Sequence, residues 1–226
     1  MARNVLKDLP RRFDHAALKP EVTEADIIAL CDEAAEHDLF GVAVNPVWVS
    51  PCRERLTGSR VHVVGVAGFP LGANRTDIKI EESVRAVSDG AQEIDMVANV
   101  GLLADNRFAE AENEICAVRR SLPFNVLLKV IIEAGLLTEK QQHEATRAVV
   151  NGGAQFVKTS TGFFGGATVE QVQVLVKAAK GEVEVKASGG IRTLEDARMM
   201  LEAGATRLGS SSSVGIVREW SGASND

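Results

Sequence analysis

Three lysines of the 226-residue chain interrupt apolar runs rich in β-branched residues: Lys129 in NVLLKVIIE, Lys158 in QFVKTST and Lys186 in EVEVKASGG. A buried strand is usually a near-continuous apolar run, so an ammonium within one is paired, neutralised or placed at the strand's open end. An amine that is partly desolvated and close to other cations gives up its proton more readily, and the neutral amine attacks carbonyl carbon. The chemistry this points to is Schiff-base formation. A lone lysine here would more often be a phosphate ligand or a surface residue; three on successive strands shift the weight toward catalysis, and the pattern does not say which of them attacks. Lys129 could instead form a salt bridge with Asp95 or Glu133. Asp95, in the apolar run EIDMVAN, reads either as a structural counter-ion or as a general acid/base acting through water.

Glycine and hydroxyl residues supply a second signal, in SGGIR (188–192) and LGSSSSVG (208–215). Such segments expose backbone N–H groups ahead of a helix, an arrangement suited to phosphate; Thr161-Gly162 could contribute. GFPLGANRTDIK (68–79) is either a lid or a connection. His15, beside Asp14, reads as a structural histidine. No His, Cys or Asp group has metal-ligand spacing, and no serine stands in a hydrolase elbow, so neither a metal nor another cofactor is expected.

These residues share a site only if the fold gathers them. Eight strand candidates run along the chain, at 13–18, 40–45, 61–69, 93–99, 125–133, 155–161, 182–190 and 205–212. Helix candidates start near Thr23, Pro46, Arg75, Asn106, Thr138, Thr168 and Thr193, with a last one after Val214. In TEADII, TEKQQH, TVEQVQ and TLEDAR a threonine precedes acidic or amide residues, the signature of a capped helix start. Asp89-Gly90, Asn151-Gly152 and Ala203-Gly204 mark helix ends. The recurring junctions DGAQEIDM, NGGAQFVK and EAGATRLG repeat one βα unit. Eight such units in this length predict an α/β fold, a single-domain (β/α)8 TIM barrel spanning 1–226 with its core at about 13–213. The tail from about 218 to 226 is expected to be flexible. Residues at the C-terminal ends of barrel strands surround one mouth, which would collect Asp14, Asn45, Asp95, Asn99, Lys129, Lys158, Thr159, Thr161, Lys186 and Ser188.

Composition narrows the function. Net charge is −6, with no basic block, so a nucleic-acid partner is not expected. No uncharged apolar run approaches the ~20 residues that span a bilayer, which argues against a membrane partner. Cys31, Cys52 and Cys116 lack paired spacing and read as free thiols of a cytoplasmic protein.

The segments DHAALKP, GVAVNP, VAGFPLGA, EIDMVANVG, LLKVIIEAGLLT, FVKTSTGF, VKASGGIRT and RLGSSS resemble the deoxyribose-phosphate aldolase family, class I aldolases on a TIM barrel, over about residues 13–213. The resemblance implies reversible cleavage of 2-deoxy-D-ribose 5-phosphate to D-glyceraldehyde 3-phosphate and acetaldehyde, without a metal. It implies Lys158 as the Schiff-base lysine. Lys186 would lower the pKa of that lysine and join the proton relay, and Asp95 would act with a water. Phosphate would sit on Gly189, Gly190, Gly209, Ser211 and Ser212, with Gly162 nearby; Asp14, Asn45, Lys129 and Thr161 would position substrate. A homodimer or homotetramer is implied as well. Three departures stand out: Ala16 replaces a common threonine, Phe163 stands where some members carry lysine, and the chain has no tyrosine. The first puts a hydroxyl contact to the sugar in question, and the second leaves the phosphate leaning more on backbone amides. The third means that enamine protonation uses water, Asp95 with Lys186, or another group.

Overall fold

The computed structural model describes residues 5–223. Eight parallel strands form a closed barrel in sequence order: β1 (Phe13–Ala17), β2 (Gly41–Val44), β3 (His62–Ala67), β4 (Glu93–Val97), β5 (Leu127–Ile131), β6 (Phe156–Lys158), β7 (Glu184–Ser188) and β8 (Arg207–Ser210). The ring closes where Phe13 pairs with Leu208 and His15 with Ser210. Every expected strand is present, each shorter than its apolar run because the flanking residues turn into loops.

Around the barrel lie α1 (Glu24–Glu36), α2 (Val49–Arg55), α3 (Thr76–Ser88), α4 (Val100–Ala104), α5 (Phe108–Ser121), α6 (Glu139–Asn151), α7 (Val169–Ala179), α8 (Leu194–Glu202) and α9 (Ser213–Ala223). Thr23, Thr138, Thr168 and Thr193 each accept a hydrogen bond from the third helical N–H, while that residue's side chain reaches back to the threonine's own N–H. Each reciprocal cap is worth about 1 kcal/mol. Two features differ from the sequence reading. The short helix α4 starts directly after Asn99, whose side chain caps it, between the strand expected to end at 99 and the helix expected to start near Asn106. The chain from Arg218 to Ala223, expected as flexible tail, is the second half of α9, whose Val214, Ile216 and Val217 enter the core. Residues 224–226 of that expectation lie outside the described residues.

Period-two alternation divides each strand between two environments. Ile94, Met96, Leu128, Val130, Val157, Val185, Ala187 and Leu208 belong to the apolar core that the helices cover. Their neighbours Glu93, Asp95, Lys129, Lys158, Lys186 and Arg207 point into the barrel, which is therefore charged from β4 through β8. All three cysteines are free thiols, and among the described residues no helix is long and apolar enough to cross a membrane.

Candidate active site

Register brings the charged side chains together. Asp95 pairs with Lys129 across β4 and β5, Lys158 with Lys186 across β6 and β7, and Lys186 with Arg207 across β7 and β8. Contacts then cross the barrel interior between strands that are not neighbours. Asp95 Oδ2 accepts from Lys158 Nζ at 2.8 Å and from Lys186 Nζ at 2.7 Å, and Asp95 Oδ1 accepts from Lys129 Nζ at 2.8 Å. One carboxylate thus holds three ammonium groups. Lys186 also donates to Asp14 at 2.5 Å, and Arg207 binds Asp14 at 2.9 Å and Glu93 at 3.3 Å. Lys129 Nζ lies 2.5 Å from Glu93. The Arg207 guanidinium sits 3.4 Å from the centroid of the Phe40 ring, a cation–π contact below the network.

Lys129, Lys158, Lys186 and Arg207 supply four positive charges against three carboxylates, Asp14, Glu93 and Asp95, an excess of 4 − 3 = 1 when all are ionised. Neutralising one lysine balances the network, and Lys158 is the one disposed to it. Burial disfavours its charged form most; Asp95 opposes, while the ammonium groups of Lys186 and Lys129 add to the depression, and the pKa falls to about 8. Burial pushes Lys129 the same way, but Asp95, Glu93 and Asp14 outweigh it and raise its pKa. Burial pulls the Asp95 carboxyl upward, yet Lys129, Lys158 and Lys186 hold it well below the usual carboxylate range.

Above the network opens a cavity of about 610 Å³ lined by Lys158, Lys186, Thr161, Gly162, Phe163, Ser188, Gly189, Gly190, Gly209 and Ser211, with Ala16 and Ala43 on the facing wall. The glycines are structural requirements of that wall. Gly189 has φ 84°, and a Cβ there would stand 2.9 Å from Ser160 Oγ; one on Gly209 would stand 2.9 Å from the Cβ of Ser188. Helix α9 begins at Ser213, two residues after Ser211 of this wall.

The remaining residues singled out in the sequence fall elsewhere. Asp14, Asp95 and Lys129 are completely buried and lie under the cavity floor rather than on it. Asn45 donates from its side chain to Leu18 O at 3.2 Å and does not line the cavity. Ser212 donates its N–H to Ser210 Oγ at 2.9 Å and is likewise off the wall. His15 bonds Ser213 at 2.7 Å and Glu33 at 3.1 Å, tying β1 to α1 and α9. The loop after β3 ends at α3, and its Phe69 meets Phe163 edge to face at 5.5 Å.

Sequence reasoning missed Glu93 and Arg207, though Glu93 stands two residues before Asp95 and so shares its face of β4. It also missed Lys19 and Arg192, both of which line the cavity. Among the described residues no cluster of three or more His, Cys, Asp or Glu could hold a metal ion.

Residues 11–223 match the sequence profile of a family described as DeoC/LacD family aldolase. The chain belongs to this aldolase family. It is 47% identical to deoxyribose-phosphate aldolase 1 of Oceanobacillus iheyensis over 219 residues, 96% of this chain and 99% of that one. Among solved structures, one described as QR15, an aldolase, superposes with a TM-score of 0.92 at 39% identity, covering 96% of this chain and 98% of its own. A tetrameric deoxyribose phosphate aldolase from Aeropyrum pernix superposes with a TM-score of 0.89 at 30% identity, covering 98% of each chain.

Proposed function

We propose that this aldolase reversibly cleaves 2-deoxy-D-ribose 5-phosphate to D-glyceraldehyde 3-phosphate and acetaldehyde through a Schiff base on Lys158. The observation that carries the reading is the placement of the Lys158 amine. It lies on the floor of a cavity walled by glycine and serine loops, with its pKa lowered to about 8.

In this mechanism the neutral amine adds to the C1 aldehyde and the carbinolamine loses water. The iminium accepts the electron pair released as the C2–C3 bond breaks and the C3 hydroxyl loses its proton. The enamine is then protonated at carbon and hydrolysed, releasing acetaldehyde and restoring the lysine. Asp95 Oδ2 touches both Lys158 and Lys186, which suits a proton relay through a water between Asp95 and Lys186. The loops carrying Gly162, Gly189, Gly190, Gly209 and Ser211 would hold the phosphate, whose remote binding keeps the reacting carbons in register. Ser212 would contribute through the turn it forms with Ser210. Asp14 and Lys129 act from beneath the floor, and Asn45 acts through Leu18.

Two further readings belong with this one: the whole chain 1–226 works as one catalytic domain in the cytoplasm, and it self-associates as a dimer or tetramer. Light scattering on the purified protein gives the oligomeric state.

Borohydride reduction in the presence of acetaldehyde, followed by peptide mass spectrometry, tests the chemistry. An adduct on Lys158 is expected, and Lys158→Ala should lose the adduct and lower turnover about a thousandfold or more. An adduct confined to Lys186, or none under turnover conditions, would overturn the assignment.

A further inference from the structure

Glu133 is the one buried non-glycine residue, among those described, whose backbone stands in the left-handed region. Its φ is 50° and ψ 59°, and it is 1% exposed. The others with positive φ, Asp8, Asp38, Asn106 and Lys180, are exposed or half-buried at turns and helix ends. Keeping an L-residue in this conformation costs about 1 kcal/mol or more, so the surrounding contacts must over-determine it.

The contacts of its side chain lead to the turn after β6. Glu133 Oε2 accepts from Thr161 Oγ1 at 2.7 Å and from Thr161 N at 3.1 Å. Thr161 Oγ1 in turn accepts from Phe163 N at 3.1 Å. Alongside, Ile132 N donates to Lys158 O at 3.1 Å and Ala134 N to Thr159 O at 2.8 Å. Strand β6 is only three residues long; beyond it Thr159 and Ser160 are also held to Lys186 and Ser188 of β7, whereas Thr161 is held by Glu133. Thr161, Gly162 and Phe163 line the cavity, whereas Glu133 does not reach it. The hydroxyl proton of Thr161 is committed to Glu133 and is not offered to a ligand.

We infer that Glu133 is a positioning residue for phosphosugar binding: its carboxylate sets the Thr161–Phe163 turn so that this edge of the cavity faces the phosphate. The inference rests on the phosphosugar reading of the site. It predicts a selective effect, because Lys158 Nζ is hydrogen-bonded to Asp95 and not to Glu133, while Thr161 is hydrogen-bonded to Glu133.

The measurement is kcat/KM for 2-deoxyribose 5-phosphate divided by kcat/KM for unphosphorylated 2-deoxyribose. It is made in the parent, Glu133→Gln, Glu133→Gly, Thr161→Val and the double variant of Glu133→Gln with Thr161→Val. Glu133→Gln should lower this ratio about tenfold, the effect of one lost charge-assisted hydrogen bond. Glu133→Gly should lower it as much although glycine accepts the left-handed backbone freely, which separates the carboxylate from the strain. The double variant should lie no lower than the worse single one, since the two side chains act as one unit.

A parent-like ratio in either Glu133 variant, or additive losses in the double variant, would overturn the inference. If one Glu133 variant fails to fold, the other decides by the same ratio together with Thr161→Val. A parent enzyme that does not turn over the phosphorylated sugar would instead remove the underlying functional reading, so the two failures are distinguishable.

Discussion

Lys129 and Lys158 stand on neighbouring strands inside one barrel, 0% and 3% exposed, and their protons are held in opposite ways. Burial weakens both ammonium groups. Lys129 meets Asp95, Glu93 and Asp14, and its pKa rises. Lys158 forms its ion pair with Asp95, faces the cations of Lys186 and Lys129, and its pKa falls to about 8. Another buried lysine, Lys79, sits outside the barrel wall between α3 and α5 with Glu114 at 2.9 Å, and its pKa also falls because burial outweighs the carboxylates of Glu114 and Glu82. The comparison shows that the balance between burial and nearby carboxylates sets the direction: burial prevails at Lys158 and Lys79, and the carboxylates of Asp95, Glu93 and Asp14 prevail at Lys129. Burial, more than cation crowding, is thus the larger cause of the reactive amine, with the neighbouring lysines adding to it. At pH 7 a pKa of about 8 leaves about a tenth of Lys158 as free amine.

The largest effect on stability should come from Lys129→Met. It would take from Glu93 and Asp95 the nearby cation that does most to hold each ionised, and breaking a buried ion pair by removing one partner costs about 3–5 kcal/mol. Urea unfolding at pH 7 reads this directly. A loss under about 1 kcal/mol would mean that Lys129 is not the cation on which the network depends.

How far this contrast was legible in the sequence depends on the layer of the barrel. The eight strands, the four threonine caps and the convergence of Lys158, Lys186 and Asp95 follow from local signals: β-branched runs, T-x-x-D/Q spacing and a charge in an apolar stretch. Lys129 pairs with Asp95, as one of its two weighed salt-bridge partners, and not with Glu133, which is turned toward Thr161. Glu93 and Arg207 begin their strands, where a charge looks like an exposed edge residue. Only closure of the ring buries them. The left-handed backbone of Glu133 has no signature in its residue type, and helix α4 is too short to show a period. Nothing in Asn45 distinguishes a cavity-lining amide from one spent on Leu18.

A smaller effect of opposite character is expected for Lys158→Met. Two cations remain on Asp95, Lys129 and Lys186, and methionine fills the same volume, so the variant should be at least as stable as the parent at pH 7. In the parent, the folded-state pKa of Lys158 lies below the unfolded value of 10.5. The unfolded chain therefore binds more protons between about pH 8 and 10.5, and this group's contribution to stability rises with pH across that window. Its penalty is complete below about 8 and gone above 10.5, a change of about 3 kcal/mol. The parent's stability relative to Lys158→Met should climb through that window. A flat difference would show that Lys158 is not depressed in the folded protein.

The smallest shift, and the one that separates burial from charge, is expected in Lys186→Met. Removing this ammonium group takes away a cation that lowers the Lys158 pKa. It also leaves Asp95 Oδ2, which Lys186 now shares, wholly to Lys158. Both changes favour the charged amine, so the inflection in borohydride trapping of acetaldehyde should move above about 8, by roughly one unit. The barrel should survive, because Asp14 keeps Arg207 at 2.9 Å and Asp95 keeps Lys129 at 2.8 Å. An unmoved inflection would assign the reactive lysine to burial alone, and a downward one would contradict the charge ordering on which the contrast between Lys129 and Lys158 stands.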